Sequence, residues 1–187
     1  MATIDDLVTD ATRRMDKSVE SAQHEFNTLR TGRASPALLD RIQIDYYGTK
    51  TPLKQLATIN APEPRLLTVQ PFDPSSLPTI ERAIQESDLG LTPNNDGKVI
   101  RLPIPQLTEE RRKDLVKVAR QMAEDGRVAV RNVRRDVMHH LKELVDNGDV
   151  GSDEEHRAEE RVQKLTDDHT HKIDDLLKRK EEEILEV

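Results

Sequence analysis

The sequence predicts an α+β protein of two domains: an elongated antiparallel three-helix bundle with a small β/α/β domain inserted after its first helix. Three observations predict it. All ten prolines lie between Pro36 and Pro105, and proline is excluded from helix interiors because it lacks an N–H and its ring clashes with the preceding turn. The two proline-free arms repeat apolar residues at steps of three and four, which lines one face of a helix. The stretch between them alternates apolar and polar residues with the period of two expected of a half-buried strand.

The first arm carries Ile4, Val8, Ala11, Met15, Val19, Ala22, Phe26 and Leu29 on one stripe. Gly32 stands where a C′ glycine would close the helix, and Arg30 suits the negative end of its dipole. The second arm starts near Thr108, a candidate N-cap, with Glu109 and Glu110 in the first turn. Its stripe is Leu115, Val118, Met122, Ala129, Val133, Val137, Leu141 and Leu144. "DNGDVGSDEE" supplies a turn, and Ser152 with Glu155 reads as a capping box. A third stripe follows through Ala158, Val162, Leu165, His169, Ile173, Leu176 and Ile184. At about 1.5 Å per residue these helices are roughly 40 to 55 Å long. Each has a single apolar face, so they must bury one another. Met15, Phe26, Val133 and Leu165 are expected in that core.

In the middle, "RIQIDYYG", "QLATIN", "RLLTVQPF" and "KVIRLPIP" are strand candidates. "PSSLPTIERAIQESDLG" reads as one helix, with Ser75 or Ser76 near its start and Gly90 just past its end. The expected division is therefore a discontinuous bundle of 1–30 and 106–187 and a small domain of 31–105. Two crossings join them, at about 30–36 and 101–107. Gly32 loosens the first, Arg30-Thr31-Gly32-Arg33-Ala34-Ser35-Pro36, while Pro103 and Pro105 stiffen the second around Leu102 and Ile104.

Charged residues make up 35% of the chain and aromatics 2%, with no Trp and no Cys. That composition suits long helices with narrow buried stripes and excludes disulfide and thiolate chemistry. The start "MATIDDLVTDATRRMD" has no apolar core of a signal peptide, and no stretch approaches the length of a bilayer span. A cytoplasmic monomer is expected.

The formal net charge is −7, yet residues 108–145 hold 10 Lys+Arg against 7 Asp+Glu, while 146–187 hold 7 against 15. On a wheel of about 100° per residue, Lys113, Lys117, Arg120, Arg127, Arg131, Arg134 and Arg135 share one arc of about 100°. That arc lies opposite the apolar candidates. Glu124 and Asp136 are too few to neutralise it. Two readings stand on the residues alone: a solvated helix face with ion pairs, or a ridge that binds a phosphate backbone. Arginine rather than lysine near the centre suits bidentate phosphate contacts. The scarcity of aromatics disfavours single-strand base stacking and points to a folded RNA surface.

No catalytic constellation is present, and no cofactor-binding motif, whether a phosphate-binding glycine loop or a nucleophile elbow. His169 and His171 in "DDHTH" point about 200° apart on a helix, so they cannot chelate one metal together; His169 instead completes an apolar stripe. Gly126 sits mid-helix near the core side, where it costs about 0.5–1 kcal/mol relative to alanine. A close helix–helix approach or a bend would account for it.

"LRTGRASPALLD", "DYYGTKTPLKQLA", "SDLGLTPNNDGKVIRLPIPQLTEERRKDLVK" and "VAVRNVRRD" together closely resemble the bacterial ribosome recycling factors, essentially from end to end. The resemblance implies an L-shaped, non-catalytic protein that splits the post-termination ribosome together with elongation factor G, which carries the GTP. It implies that Arg131, Arg134 and Arg135 contact ribosomal RNA of the large subunit and that the two crossings form a hinge. Gly126 departs from the alanine-like residue expected there, which bears on the straightness of the second helix. An adaptor whose basic ridge meets an acidic protein, and a metal-dependent enzyme using "DDHTH", are the alternatives.

Overall fold

The computed structural model describes residues 3–186. It contains five helices and six strands in the order α1 (Ile4–Thr28), β1 (Gln43–Tyr46), β2 (Thr49–Pro52), α2 (Leu53–Leu56), β3 (Ala57–Glu63), β4 (Leu66–Pro71), α3 (Leu77–Glu86), β5 (Asn94–Asn95), β6 (Ile100–Pro103), α4 (Glu109–Asp146) and α5 (Ser152–Leu185). Two compact units emerge. The first takes the chain up to Leu29 and Lys113–Glu182; the second takes Arg30–Arg112 and the stretch from Glu183. The first turn of α4 and the last turn of α5 thus fall in the second unit.

In the first unit, α4 runs antiparallel to both of its partners. Arg14 of α1 meets Asp136 at 2.7 Å, and Ala22 lies against Gly126. Arg120 meets Glu181 and Arg127 meets Asp174, both at 2.6 Å. Helices α1 and α5 run parallel, through Asp5–Arg161 and Asp16–His169. The core is lined by Met15 and Phe26, the largest side chains, and by a series of small ones: Ala11, Ala22, Ala119, Ala123, Gly126 and Ala158. Small residues let three helix axes come close, so narrow stripes suffice.

That closeness corrects two expectations and decides a third. The buried face of α4 is Leu115, Ala119, Ala123, Gly126, Val130, Val133, Val137 and Leu141. It is turned about 40° from the expected stripe on a wheel of about 100° per residue. Val118 is exposed, and Met122 and Ala129 are half-buried. Val118 and Met122 are held at the edge of the seam and Ala119 and Ala123 face it, while Leu115, Val133, Val137 and Leu141 of the expected stripe are buried. In α5, Leu165 is only half-buried, while Thr166 and His169 are inside. Their polar atoms are satisfied. The Thr166 hydroxyl donates to Val162 O at 2.8 Å, and the His169 ring engages Leu165 O at 2.6 Å and Asp16 at 2.7 Å. For Gly126, one of the two open readings is selected, the close helix–helix approach. A Cβ there would lie 3.2 Å from both Ala22 Cβ and Ile173 Cδ1, and α4 continues unbroken past it. It marks the point where the three helices touch.

The helix ends also differ in detail. Thr108 caps α4 as expected, accepting from Arg111 N at 3.1 Å. The box at α5 is shifted by one residue. Glu154, not Glu155, reaches back to the N–H of Gly151, and Ser152 is already inside the helix. Helix α1 has a capping box of its own, Thr3 with Asp6. It ends on an extended Leu29, so Gly32 (φ 75°) sits in the following loop rather than closing the helix.

The second unit has a two-stranded sheet β1-β2 and a four-stranded antiparallel sheet in the order β3-β4-β6-β5. Ile44, Leu53, Leu67, Val69, Ile80, Ile84, Ile100 and Leu102 are fully buried in one core with α3. Strand β2 was not expected from the sequence. It pairs with β1 through a two-residue turn at Tyr47-Gly48, both at positive φ, as a type I′ hairpin requires. Tyrosine in place of the usual Asn hides that turn.

The loop from β5 to β6 is organised by Asp96. Its carboxylate accepts from Val99 N at 2.9 Å, Lys98 N at 3.0 Å and the Arg101 guanidinium at 3.0 Å. These bonds, the two amides above all, depress its pKa to about 2 from the ordinary 3.8. A depressed carboxylate stabilises the fold above its unfolded pKa and loses that stabilisation as pH falls through the folded value. The melting temperature is therefore expected to fall as pH drops from about 4 towards 2. In Asp96→Asn this part of the acid dependence should be missing, which thermal melts across that range will detect.

Candidate nucleic-acid interface

The basic residues of α4 lie where a 38-residue helix with a single buried face must put them. Because that face is turned towards the arc, the arc is not opposite the core but beside it. The turn separates the seven residues into two rows with different surroundings.

The inner row flanks the seam with α5. Arg120 meets Glu181, and Arg127, whose side chain is only 23% exposed, meets Asp174. Half-buried Arg134 donates to Gln163 at 2.9 Å. These three recur every seven residues, the spacing that keeps facing the same neighbour along two packed helices. Lys113 continues the series one heptad earlier and is exposed. The excess of acid in α5 is thus used in part to hold this row.

The outer row comprises Lys117, Arg131 and Arg135, all exposed. Arg131, its side chain 46% exposed, donates to Glu124 at 2.5 Å. Glu124 also accepts from Arg127 Nε at 3.0 Å, and the bonds from Arg127 and then Arg131 hold its carboxyl below the ordinary glutamate range. Asp136, the other acid expected to neutralise the ridge, is drawn off by Arg14 of α1, which lowers its pKa. Lys117 and Arg135 make no hydrogen bond or ion pair among the described residues. Lys142, seven residues beyond Arg135 and exposed, extends this row; continuing the heptad would have found it. From Lys117 to Lys142 the row spans about 38 Å at 1.5 Å per residue.

The residues expected at the crossings are also placed. Thr31 is buried and donates to Glu183 at 2.8 Å; Gly32 is buried beside it, and Arg30 reaches Asp88 O at 3.5 Å. Arg33 is exposed, Ala34 N donates to Pro64 O at 2.7 Å, and Ser35 caps a short 3₁₀ turn that begins at Pro36. Leu102 and Pro103 pair with Leu67 and Leu66 in the sheet, and Ile104 N donates to Arg65 O at 2.8 Å. Both segments are thus tied by backbone bonds to the second unit, with Pro105 exposed just beyond. No helix among the described residues is long and apolar enough to cross a membrane, and none of them form a cluster fit for a metal ion.

Three long helices with a two-row basic ridge on the middle one, interrupted by a small antiparallel-sheet unit, define a two-unit α+β protein with a phosphate-compatible helix face. The model of the ribosome recycling factor family matches residues 22–185. The ribosome-recycling factor of Rubrobacter xylanophilus is 58% identical over 187 residues, covering all of both chains. That of Thermosynechococcus vestitus is 55% identical over 95% of this chain and 98% of its own. A solution structure of the ribosome recycling factor superposes with a TM-score of 0.78 at 44% identity, over 98% of each chain. Models of the T. thermophilus ribosome recycling factor and E. coli elongation factor G bound to the E. coli post-termination complex give 0.69 at 49% identity, over 98% of this chain and 99% of that one. The chain belongs to the ribosome recycling factor family.

Proposed function

We propose that the protein recycles ribosomes: with elongation factor G and its GTP, it splits the post-termination complex so that the ribosome leaves the messenger and can be used again. The first unit binds large-subunit ribosomal RNA through the outer row Lys117, Arg131 and Arg135, with Lys142 extending it. Arg120, Arg127, Arg134 and Lys113 contribute from the flank. The observation that carries this reading is a row of exposed cations about 38 Å long on a protein that is acidic overall. A net-negative chain would otherwise be repelled by RNA.

We divide the chain into the bundle, 1–30 with 106–187, and the small domain, 31–105, joined by a hinge at about 30–36 and 101–107. The backbone bonds of Ala34 and Ile104 favour placing its freedom next to them, at Arg33 and Pro105. In this reading the bundle anchors on RNA, and the small domain transmits the action of elongation factor G. The protein itself performs no catalysis and works as a monomer in the cytoplasm.

The test is polysome breakdown with purified components. Ribosomes should be released only when this protein, elongation factor G and GTP are all present. Release that needs neither elongation factor G nor GTP, or none with all three, would overturn the reading.

A further inference from the structure

Arg131 is the exposed arginine nearest the middle of the outer row, and it is not a free side chain. Its Nη2 donates to Glu124 Oε1, while Glu124 Oε2 accepts from Arg127 Nε, and Arg127 Nη1 is fixed on α5 by Asp174 at 2.6 Å. The four side chains form one chain of charge-assisted hydrogen bonds, anchored in the inter-helix seam at one end and reaching the exposed row at the other. Arg127 is its least exposed member, 23% against 46% at Arg131 and 53% at Asp174. We propose that Glu124 is a positioning residue for the interface: its carboxylate, pinned by Arg127, holds the Arg131 guanidinium in one arrangement before RNA arrives. This rests on Arg131 contacting RNA phosphate, as proposed above.

Glu124 has two opposing effects on a phosphate at Arg131. It is an anion beside an anion, which weakens binding, and a phosphate on the same guanidinium would lie inside the screening length of about 8 Å; the two guanidinium groups bonded to Glu124, those of Arg127 and Arg131, offset its charge instead. It also fixes an arginine, one of the side chains with most rotamer freedom to lose on binding. A guanidinium has five N–H donors, and the bond to Glu124 engages Nη2 alone, so the other nitrogens stay available for a phosphate. Positioning therefore outweighs competition.

The test uses the intact protein, isolated large ribosomal subunits as the probe, salt titrations and thermal melts. Glu124→Ala removes the carboxylate. Glu124→Asp keeps the charge but is one methylene too short. Glu124→Gln keeps the reach and one acceptor oxygen. Alanine and aspartate are expected to weaken binding about three- to tenfold at every salt concentration, the range for ordering one long side chain, with an unchanged salt slope. Glutamine should restore most of the affinity, and none of the three should matter once Arg131 is alanine. The proposal is overturned if aspartate binds like wild type, or if alanine and glutamine bind more tightly with a steeper slope, which would make Glu124 a competitor of phosphate. A loss that persists in the Arg131→Ala background would assign Glu124 to the fold instead. If Arg131→Ala alone binds like wild type, the RNA interface itself fails at that residue, a result separable from every other outcome.

Discussion

Replacing Arg131 and Arg135 together by alanine is expected to lower the affinity for isolated large ribosomal subunits about 100-fold at moderate salt, while the protein melts like wild type. Each side chain is exposed and is assigned one charge-assisted phosphate contact, worth roughly 1.5 kcal/mol, and two of these amount to about two decades. Each lost contact should also reduce the dependence of log affinity on log salt by about 0.7 to 0.9. The fold should barely respond. Among the described residues Arg135 has no hydrogen bond or ion pair to lose, and an exposed pair such as Arg131–Glu124 contributes little to stability. Arg134 is a less clean probe, because its half-buried guanidinium is bonded to Gln163 across the seam; removing it mixes a packing loss with a binding loss. Arg157→Ala on the acidic α5 is the control and should bind like wild type. A double variant that binds as tightly as wild type, with the same salt slope, would reduce the ridge to a solvated face.

Gly126→Val is expected to destabilise the bundle by about 2–3 kcal/mol, the upper range for overpacking a closely packed site. An added Cβ would already lie 3.2 Å from Ala22 Cβ and 3.2 Å from Ile173 Cδ1. Valine adds two methyls to that carbon, and within a helix its χ1 is held to essentially one rotamer. Both methyls therefore cannot swing into the shallow groove lined by Ser18, Ser21 and Met122. Gly126→Ala separates the opposing terms. Helix propensity favours alanine by about 1 kcal/mol, and the contact requires a shift of a few tenths of an ångström, which the end of Ile173 can provide more easily than Ala22. Its stability should stay within about 1 kcal/mol of wild type. Ile173→Val combined with Gly126→Val should recover part of the loss, and denaturant unfolding of the single and double variants measures that coupling. If Gly126→Val unfolds at the wild-type midpoint, the three helices do not meet there as closely as the geometry says.

Much of the fold was legible because its elements are long or strongly punctuated. Three stripes of spacing three and four gave α1, α4 and α5, and Thr108 marked the start of α4. What was not legible was short or lacked a local signal. Strand β2 is entered through a Tyr-Gly turn, α2 is a single turn of four residues, and β5 is two residues long. The cap of α5 was misplaced by one residue because Gly151, with no side chain, gives no capping signal, while Ser152 beside it does.

The sequence by itself determined that the second long helix is amphipathic and that its cations share one arc, because a helix of about 3.6 residues per turn leaves those positions no choice. It also placed Glu124 within reach of Arg127 and Arg131, at spacings of three and seven on the same helix. Leu115, Val133, Val137 and Leu141 are buried as expected, but only the tertiary structure decided how far round α4 the buried face lies. A hydrophobic pattern weighs Val118 and Met122 above Ala119 and Ala123, but three helices in close contact bury the smaller residues and leave the larger ones at the edge. That rotation divided the arc. It turned Arg120, Arg127 and Arg134 towards Glu181, Asp174 and Gln163, residues 29 to 61 positions away in sequence. It left Lys117, Arg131 and Arg135 to the solvent. Periodicity records the angle between residues on one helix but not which neighbouring helix occupies that angle, and the pairing that separates a held arginine from an available one arises only when the second helix is packed.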